Sequence, residues 1–177
     1  METKRLIFRE WRDGDQILLN KFLQDAEVMS AYEHAFSDEE VTNWLAWNVK
    51  SYAENGFGLW ALELKETGEI IGECGLILQE IDGEFFPEIS YHLAQKFWHQ
   101  GYATEAALAV RDWTWLETNY TELIITTRDI NIASMNVAIR CGFIIKKRMV
   151  KYYRGLEMPH YLFGYKKTPH NRDASAL

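Results

Sequence analysis

The stretch from Tyr91 to Ala107, YHLAQKFWHQGYATEAA, restricts the fold of this chain more than any other segment. A β-rich run, Glu88 to Leu93, ends there. Ala103, Ala106, Ala107, Val110 and Trp113 then recur at helical spacing as far as about Glu117. Leu123 to Thr127 returns to strand character. Strand, short loop ending at Gly101, helix and second strand make a crossover, so the region needs a sheet with a helix laid across it.

The chain on either side fills in that sheet. Leu6-Ile7-Phe8 reads as a short strand. Asp13 followed by Gln16 resembles a capping box and predicts a helix to about Leu23. Ser37 and Glu40 repeat the pattern for a second helix, which carries Val41, Trp44, Leu45 and Val49 on one side and stops at Asn55-Gly56. Two β-rich runs, Leu59 to Leu64 and Ile70 to Leu78, join across Glu66-Thr67-Gly68, and Asp82-Gly83 marks another hairpin turn. After the crossover, Asn131 opens a helix that Gly142 closes, and Ile144 to Tyr153 and Tyr161 to Lys166 are strands around Arg154-Gly155. The reading is a mixed α/β sheet, antiparallel at its start. Residues 1–167 are expected to form one domain and the polar residues 168–177 a disordered tail.

Bulk properties narrow the class. A length of 177 residues, 47% of them hydrophobic, suits one domain with a sizeable core. A net charge of −7 argues against nucleic acid as the main partner, which needs clustered Lys and Arg. No apolar run approaches the roughly 20 residues of a membrane helix, and Met1 to Arg9 lacks the apolar stretch of a secretory signal. Cys74 and Cys141 are far apart in sequence and fit free thiols in a reducing compartment, so a cytoplasmic location is expected. His34, His92, His99, His160 and His170 show no ligand spacing, and no metal is expected.

The loop before the central helix carries chemistry. Backbone N–H groups at a helix start are unsatisfied and lie at the positive end of the helix dipole. Gly101 lets a phosphate approach them, Ala103 keeps the first turn small, and Thr104 adds a hydroxyl donor. The same features also suit a turn feeding a close-packed helix. The loop is neither GxxxxGK[ST] nor GxGxxG. It resembles the pyrophosphate loop of the GNAT acetyltransferases, roughly [QR]xxGx[GA], with Gly101 and Ala103 in place and Trp98 where Gln or Arg is usual. Within that superfamily the chain is similar to the RimJ/RimL-like branch, which includes ribosomal-protein N-terminal alanine acetyltransferases. Glu2 to Leu6 resembles its opening, Gly68 to Gly75 its central hairpin, Trp98 to Ala106 its phosphate loop, and Asn131 to Ser134 with Cys141-Gly142-Phe143 its NxxS…GF signature.

The resemblance implies a mixed, mostly antiparallel sheet of six to seven strands, splayed at the cofactor cleft and flanked by about four helices. It implies an N-acetyltransferase that uses acetyl-CoA as co-substrate and attacks directly in a ternary complex, as a monomer or homodimer. The pantetheine arm is expected along Tyr91, His92 and Leu93, as an added strand would lie. The diphosphate is expected on Trp98, His99, Gln100, Gly101, Tyr102, Ala103 and Thr104, with Asn131 and Ser134 also near the cofactor.

Amine acetylation needs a base for the ammonium and benefits from an acid for the thiolate. The Tyr that many family members place seven residues after the Asn is Ala138 here; the RimJ/RimL-like branch instead has a Ser three residues after the Asn, so the resemblance makes Ser134 the candidate acid, and a local helix-start bond is its plainer role. Glu88, after Phe85-Phe86-Pro87, is the candidate base. Glu73 and Tyr153 are alternative ends of a water chain. The branch's usual Glu after GF is missing from Met149 to Tyr153, which weakens a ribosomal-protein substrate. Tyr32, Trp44, Trp47, Trp60 and Tyr152 are available as aromatic walls for the amine. Alternation puts Glu80, Asp82, Glu84 and Glu88 towards one face, unless the Asp82-Gly83 turn breaks the register, and this suggests a cationic acceptor such as a protein N-terminus or small amine. A non-catalytic acyl-CoA sensor on the same fold is the competing reading.

Overall fold

The structure, a computed structural model, describes residues 1–167, and the expected tail at 168–177 lies outside the described residues. In chain order the elements are β1 (Leu6–Arg9), α1 (Gln16–Leu23), α2 (Asp38–Asn55), β2 (Leu59–Leu64), β3 (Ile70–Ile81) and β4 (Glu84–Leu93). There follow α3 (Tyr102–Glu117), β5 (Glu122–Arg128), α4 (Ile132–Arg140), β6 (Ile144–Tyr153) and β7 (Leu156–Lys166). The strands form one seven-stranded sheet in the order β1-β2-β3-β4-β5-β7-β6. Every pairing is antiparallel except β4 with β5.

Two helical layers cover the sheet. Ala106, Ala107 and Val110 of α3 pack with Cys74, Leu76, Ile89, Leu93, Leu123, Ile125 and Phe163 on one face. Their small size lets α3 lie close to the strands. On the other face, Leu19, Phe22 and Leu23 of α1 and Val41 and Leu45 of α2 pack with Trp11, Met29, Ala61 and Ile70. Both cysteines are buried and free, and burial pushes the Cys141 thiol up to about 11.

Local chemistry sets the boundaries. Ser37 and Glu40 form the full reciprocal capping box at α2, and Gly56 ends that helix in the left-handed region. The box expected from Asp13 and Gln16 does not form. Asp15 takes the cap position of α1 without a side-chain bond to its own helix, because its carboxylate is held by Arg9 at 2.6 Å and by the Arg12 N–H at 3.0 Å. On α2, Val49 points outward, and the buried neighbour is Asn48, whose side chain accepts the Leu59 N–H at 2.9 Å and donates to the Trp44 carbonyl. A polar residue is tolerated there because both ends of its amide are satisfied.

The approach of β2 to β3 leaves no room for a side chain at Gly75, where a Cβ would lie 2.0 Å from the Gly58 carbonyl oxygen. Gly75→Ala is therefore expected to force the strands apart. The cost should be about 2–3 kcal/mol, or a Tm lowered by roughly 5–10 °C in a thermal melt. An unchanged Tm would contradict the close approach.

Candidate active site

The site begins where the sheet comes apart. β4 and β5 are in register at a single pair, Glu88 with Ile124. Past that point the strands no longer pair, and the Glu88 side chain occupies the opening. Its Oε1 accepts the Thr126 N–H at 2.9 Å and the Thr126 hydroxyl at 2.6 Å. A carboxylate thus does what a backbone carbonyl of β4 would do in a continuous sheet. Lys151 of β6 donates to the Thr126 hydroxyl oxygen at 2.8 Å and to Gln79 at 3.1 Å. Glu88 is only 5% exposed, and its Oε2 has no hydrogen-bond partner among the described residues. Burial raises its pKa above the usual 4.5, and the Lys151 charge and the two Thr126 bonds only partly offset that.

Strand alternation sorts β4 to two sides. Tyr91 points to the α3 and α4 side, where its hydroxyl donates to the Ser134 carbonyl at 3.1 Å and lies 3.0 Å from the Ser134 hydroxyl. Thr127 donates to the Ser134 hydroxyl oxygen at 2.5 Å. Tyr91 has a single proton, so when it donates to the carbonyl the Ser134 hydroxyl, which accepts from Thr127, directs its own proton to the Tyr91 oxygen. Burial holds the Tyr91 phenol far above the usual range, so it stays protonated. Asn131 caps α4 by accepting the Ser134 N–H at 3.0 Å.

His92 points the other way, and its buried ring is bonded at both ends. Nδ1 is 2.9 Å from Glu73, and Nε2 is 3.0 Å from the Tyr32 hydroxyl. Glu73 has no exposed surface and also accepts the indole N–H groups of Trp11 at 2.9 Å and Trp44 at 3.0 Å. Tyr32 belongs to a 3-10 turn, Ser30–Tyr32. Arg128, at the end of β5, grips that turn by donating to the Ala31 carbonyl at 3.2 Å and to Glu33. The turn therefore bridges the open strands, tied to β4 through His92 and to β5 through Arg128.

The loop ahead of α3 presents backbone donors that its own helix does not use. His99 and Gly101 both have positive φ, 60° and 81°, which turns successive N–H groups towards one side. The first intrahelical bond is Glu105 N–H to the Gly101 carbonyl. The N–H groups of residues 99 to 104 take no acceptor among the described residues, nor does the Thr104 hydroxyl give a bond. Trp98, in the place where the motif has Gln or Arg, ties the loop down by donating its indole N–H to the Leu93 carbonyl at 2.8 Å. A cation, Arg5, lies beside the loop. It donates to the Gln100 carbonyl at 2.9 Å, pairs with Glu105 at 2.6 Å and lies 4.1 Å from the Tyr102 ring centre. Its other terminal nitrogen is near Gly101, 3.5 Å from where a Cβ would be.

The structure corrects the expected acceptor side in several places. Glu80 pairs with Phe85 and Ile81 with Glu84, so the two-residue turn Asp82-Gly83 puts Glu80 on the opposite face from Glu84 and Glu88. Asp82 itself pairs with Lys147. The carboxylates do not make one cluster. Tyr32, Trp44 and Trp47 do stand together, with Trp44 meeting Trp47 at 5.2 Å and His92 at 6.0 Å between ring centres. Trp60 instead packs on Trp113 of α3, and Tyr152 is 75% exposed. Tyr153 replaces them, stacking on His34 and meeting Tyr32 edge-on. A surface hollow bordered by Asn55, Phe57, Trp113 and Tyr120 is lined by none of the candidate site residues.

Comparison with known proteins agrees with this geometry. Residues 5–144 match the family model described as an acetyltransferase (GNAT) domain. Relatives include an uncharacterized Bacillus subtilis protein, YkkB, 33% identical over 85% of this chain and 88% of its own length. Another is the uncharacterized N-acetyltransferase YnaD of the same organism, 28% identical over 79% of each chain. Among solved structures, an acetyltransferase from Agrobacterium tumefaciens superposes with a TM-score of 0.80 at 23% identity, over 94% of both chains. A RimL ribosomal L7/L12 acetyltransferase in complex with coenzyme A gives 0.77 at 17% identity, over 93% of this chain and 96% of that one. With its sheet, its open strand pair and most of its length accounted for in this way, the chain belongs to the GNAT family of acetyl-CoA-dependent acetyltransferases.

Proposed function

We propose that the chain acetylates a primary amine by direct attack on acetyl-CoA, with Glu88 as base and Ser134 as donor to the sulfur. The observation that carries this reading is the unpartnered, buried Oε2 of Glu88 at the point where β4 and β5 part. The pantetheine would run along Tyr91, His92 and Leu93 on the unpaired edge of β4. The diphosphate would sit on the free N–H groups from His99 to Thr104, with Trp98 bracing the loop. Asn131 serves by fixing the start of α4 and so the direction of Ser134.

In the step itself the amine nitrogen bonds to the acetyl carbon and the carbon–sulfur bond breaks. Glu88 removes the ammonium proton before attack, which its raised pKa favours. The Ser134 hydroxyl, polarised by the bond from Thr127, turns its proton to the departing sulfur, and the second proton that the nitrogen sheds as the amide forms restores it, so that coenzyme A leaves as the thiol and one proton stays on Glu88. Neither cysteine is needed as a nucleophile, and both are buried.

Three measurements test the proposal. Ser134→Ala should lower kcat about 10- to 100-fold and change the KM for acetyl-CoA far less; an unchanged kcat, where chemistry limits the rate, would leave Ser134 only its place at the helix start. In the parent enzyme kcat/KM for the amine should fall as pH drops through the raised pKa of Glu88, above 4.5, because protonation removes the base. Glu88→Gln should be slow at every pH and lack that limb. Gly101→Val should weaken acetyl-CoA binding at least tenfold by calorimetry. A β-branched residue at φ +81° also strains the loop by about 1–2 kcal/mol, so a modest fall in Tm is expected alongside. Acetyl-CoA binding without thiol release from any amine would indicate a sensor rather than an enzyme.

A further inference from the structure

Two buried groups of opposite charge are left unpartnered on the same face of the sheet, beside the open strands. One is Oε2 of Glu88 and the other is Nε of Arg128. The Arg128 side chain is only 10% exposed, and its bonds to Ala31 and Glu33 both leave from Nη1. The Nε–Nη2 edge therefore takes no partner among the described residues. That edge presents two parallel N–H donors and matches a carboxylate. Buried guanidinium nitrogens are rarely left unpaired in folded proteins, so the edge points to a ligand.

Strand geometry puts the two residues near each other at the open end of the sheet. Thr126 is bonded to Glu88, and Arg128 follows two residues later on the same face, about 7 Å along β5 at about 3.3 Å per residue. An ammonium and a carboxylate on one carbon, with a charge-assisted bond of about 2.8 Å at each end, make a short zwitterion that can address two such neighbouring side chains at once.

We propose that the acceptor carries a carboxylate next to its amine, as a free amino acid does, and that Arg128 is its anchor. The inference rests on the acetyltransferase reading with Glu88 as base. The carboxylate docks on Nε and Nη2 of Arg128, which directs the amine to Oε2 of Glu88. There the ammonium gives its proton to Glu88, nitrogen takes the acetyl carbon, and coenzyme A leaves as the thiol. Lys151 adds a second cation on this face, reaching Thr126 at 2.8 Å. A polycationic acceptor would bring its extra charge against both, whereas a zwitterion brings one charge to each partner. Tyr32 and Tyr153, meeting edge-on at 6.5 Å, flank the position as apolar walls for the side chain of the acceptor.

The test is thiol release at saturating acetyl-CoA with L-phenylalanine, L-methionine and L-lysine, each against its methyl ester and its decarboxylated amine. The proposal expects at least one free amino acid to exceed both of its partners in kcat/KM by about tenfold or more. Arg128→Gln should raise the KM for that acid more than it lowers kcat, and should bring the acid-to-ester ratio towards one. Because the variant also loosens the turn at Ala31, the comparison of acid, ester and amine in the parent enzyme decides the matter without it. Esters or decarboxylated amines used as well as the acids, or better, would overturn the anchor while leaving the acetyltransferase reading in place. No thiol release with any acceptor would overturn both.

Discussion

The structure depends on one side chain doing the work of a strand. At Glu88 the parallel pair β4/β5 stops, and the carboxylate takes the Thr126 N–H that would otherwise be left without an acceptor. A buried backbone donor without a partner costs about 1–3 kcal/mol, so an open strand pair needs such a substitute. The substitute is itself costly, because a desolvated carboxylate resists ionisation. Lys151 and the Thr126 hydroxyl moderate that cost without removing it. The same compromise leaves the strand pair open and one carboxylate oxygen without a partner among the described residues, which is what the proposed role of Glu88 as base requires.

A second buried carboxylate holds the acceptor side. Glu73 is fully enclosed, but it accepts from two indoles and stands against His92, so its oxygens are satisfied. Those donors come from the segment before α1, from α2 and from β4, and one residue therefore fixes three parts of the chain relative to each other. Tyr32 extends the chain of bonds to the 3-10 turn, and Arg128 fastens the far end of that turn to β5. Removing one member of such a buried set exposes the others as unpaired groups, at about 3–5 kcal/mol for a charged partner. The 3-10 turn is thereby tied to both sides of the opening between the strands.

Much of this was legible in the sequence where the signal is local. The capping box at Ser37 and Glu40, the period of α3 and the glycine before it needed only neighbouring residues. The loop before α3 and the helix opened by Asn131 were legible as elements from the same local signals. Reading failed where a partner distant in sequence decided the outcome. Asp15 displaced the expected Asp13 cap because Arg9 holds it. The acidic face dissolved because a two-residue hairpin fixes pairing by its own geometry, sending Glu80 and Glu84 to opposite sides. Arg5 and Arg128 were passed over because nothing near them in sequence marks a cation that acts across some 95 residues, from Arg5 to Gln100 and from Arg128 to Glu33. His92 was read by its backbone alone, and its side chain gained meaning only with Glu73 and Tyr32 in place.

The central claim is that the opening held by Glu88 is the seat of the thioester. A crystal structure of the protein with acetyl-CoA tests it most directly. The account predicts the pantetheine between β4 and β5, the diphosphate on the backbone N–H groups before α3, and the sulfur beside Ser134 with the acetyl carbon facing Oε2 of Glu88. Cofactor bound elsewhere, or strands β4 and β5 closed against each other with the thioester outside them, would contradict it.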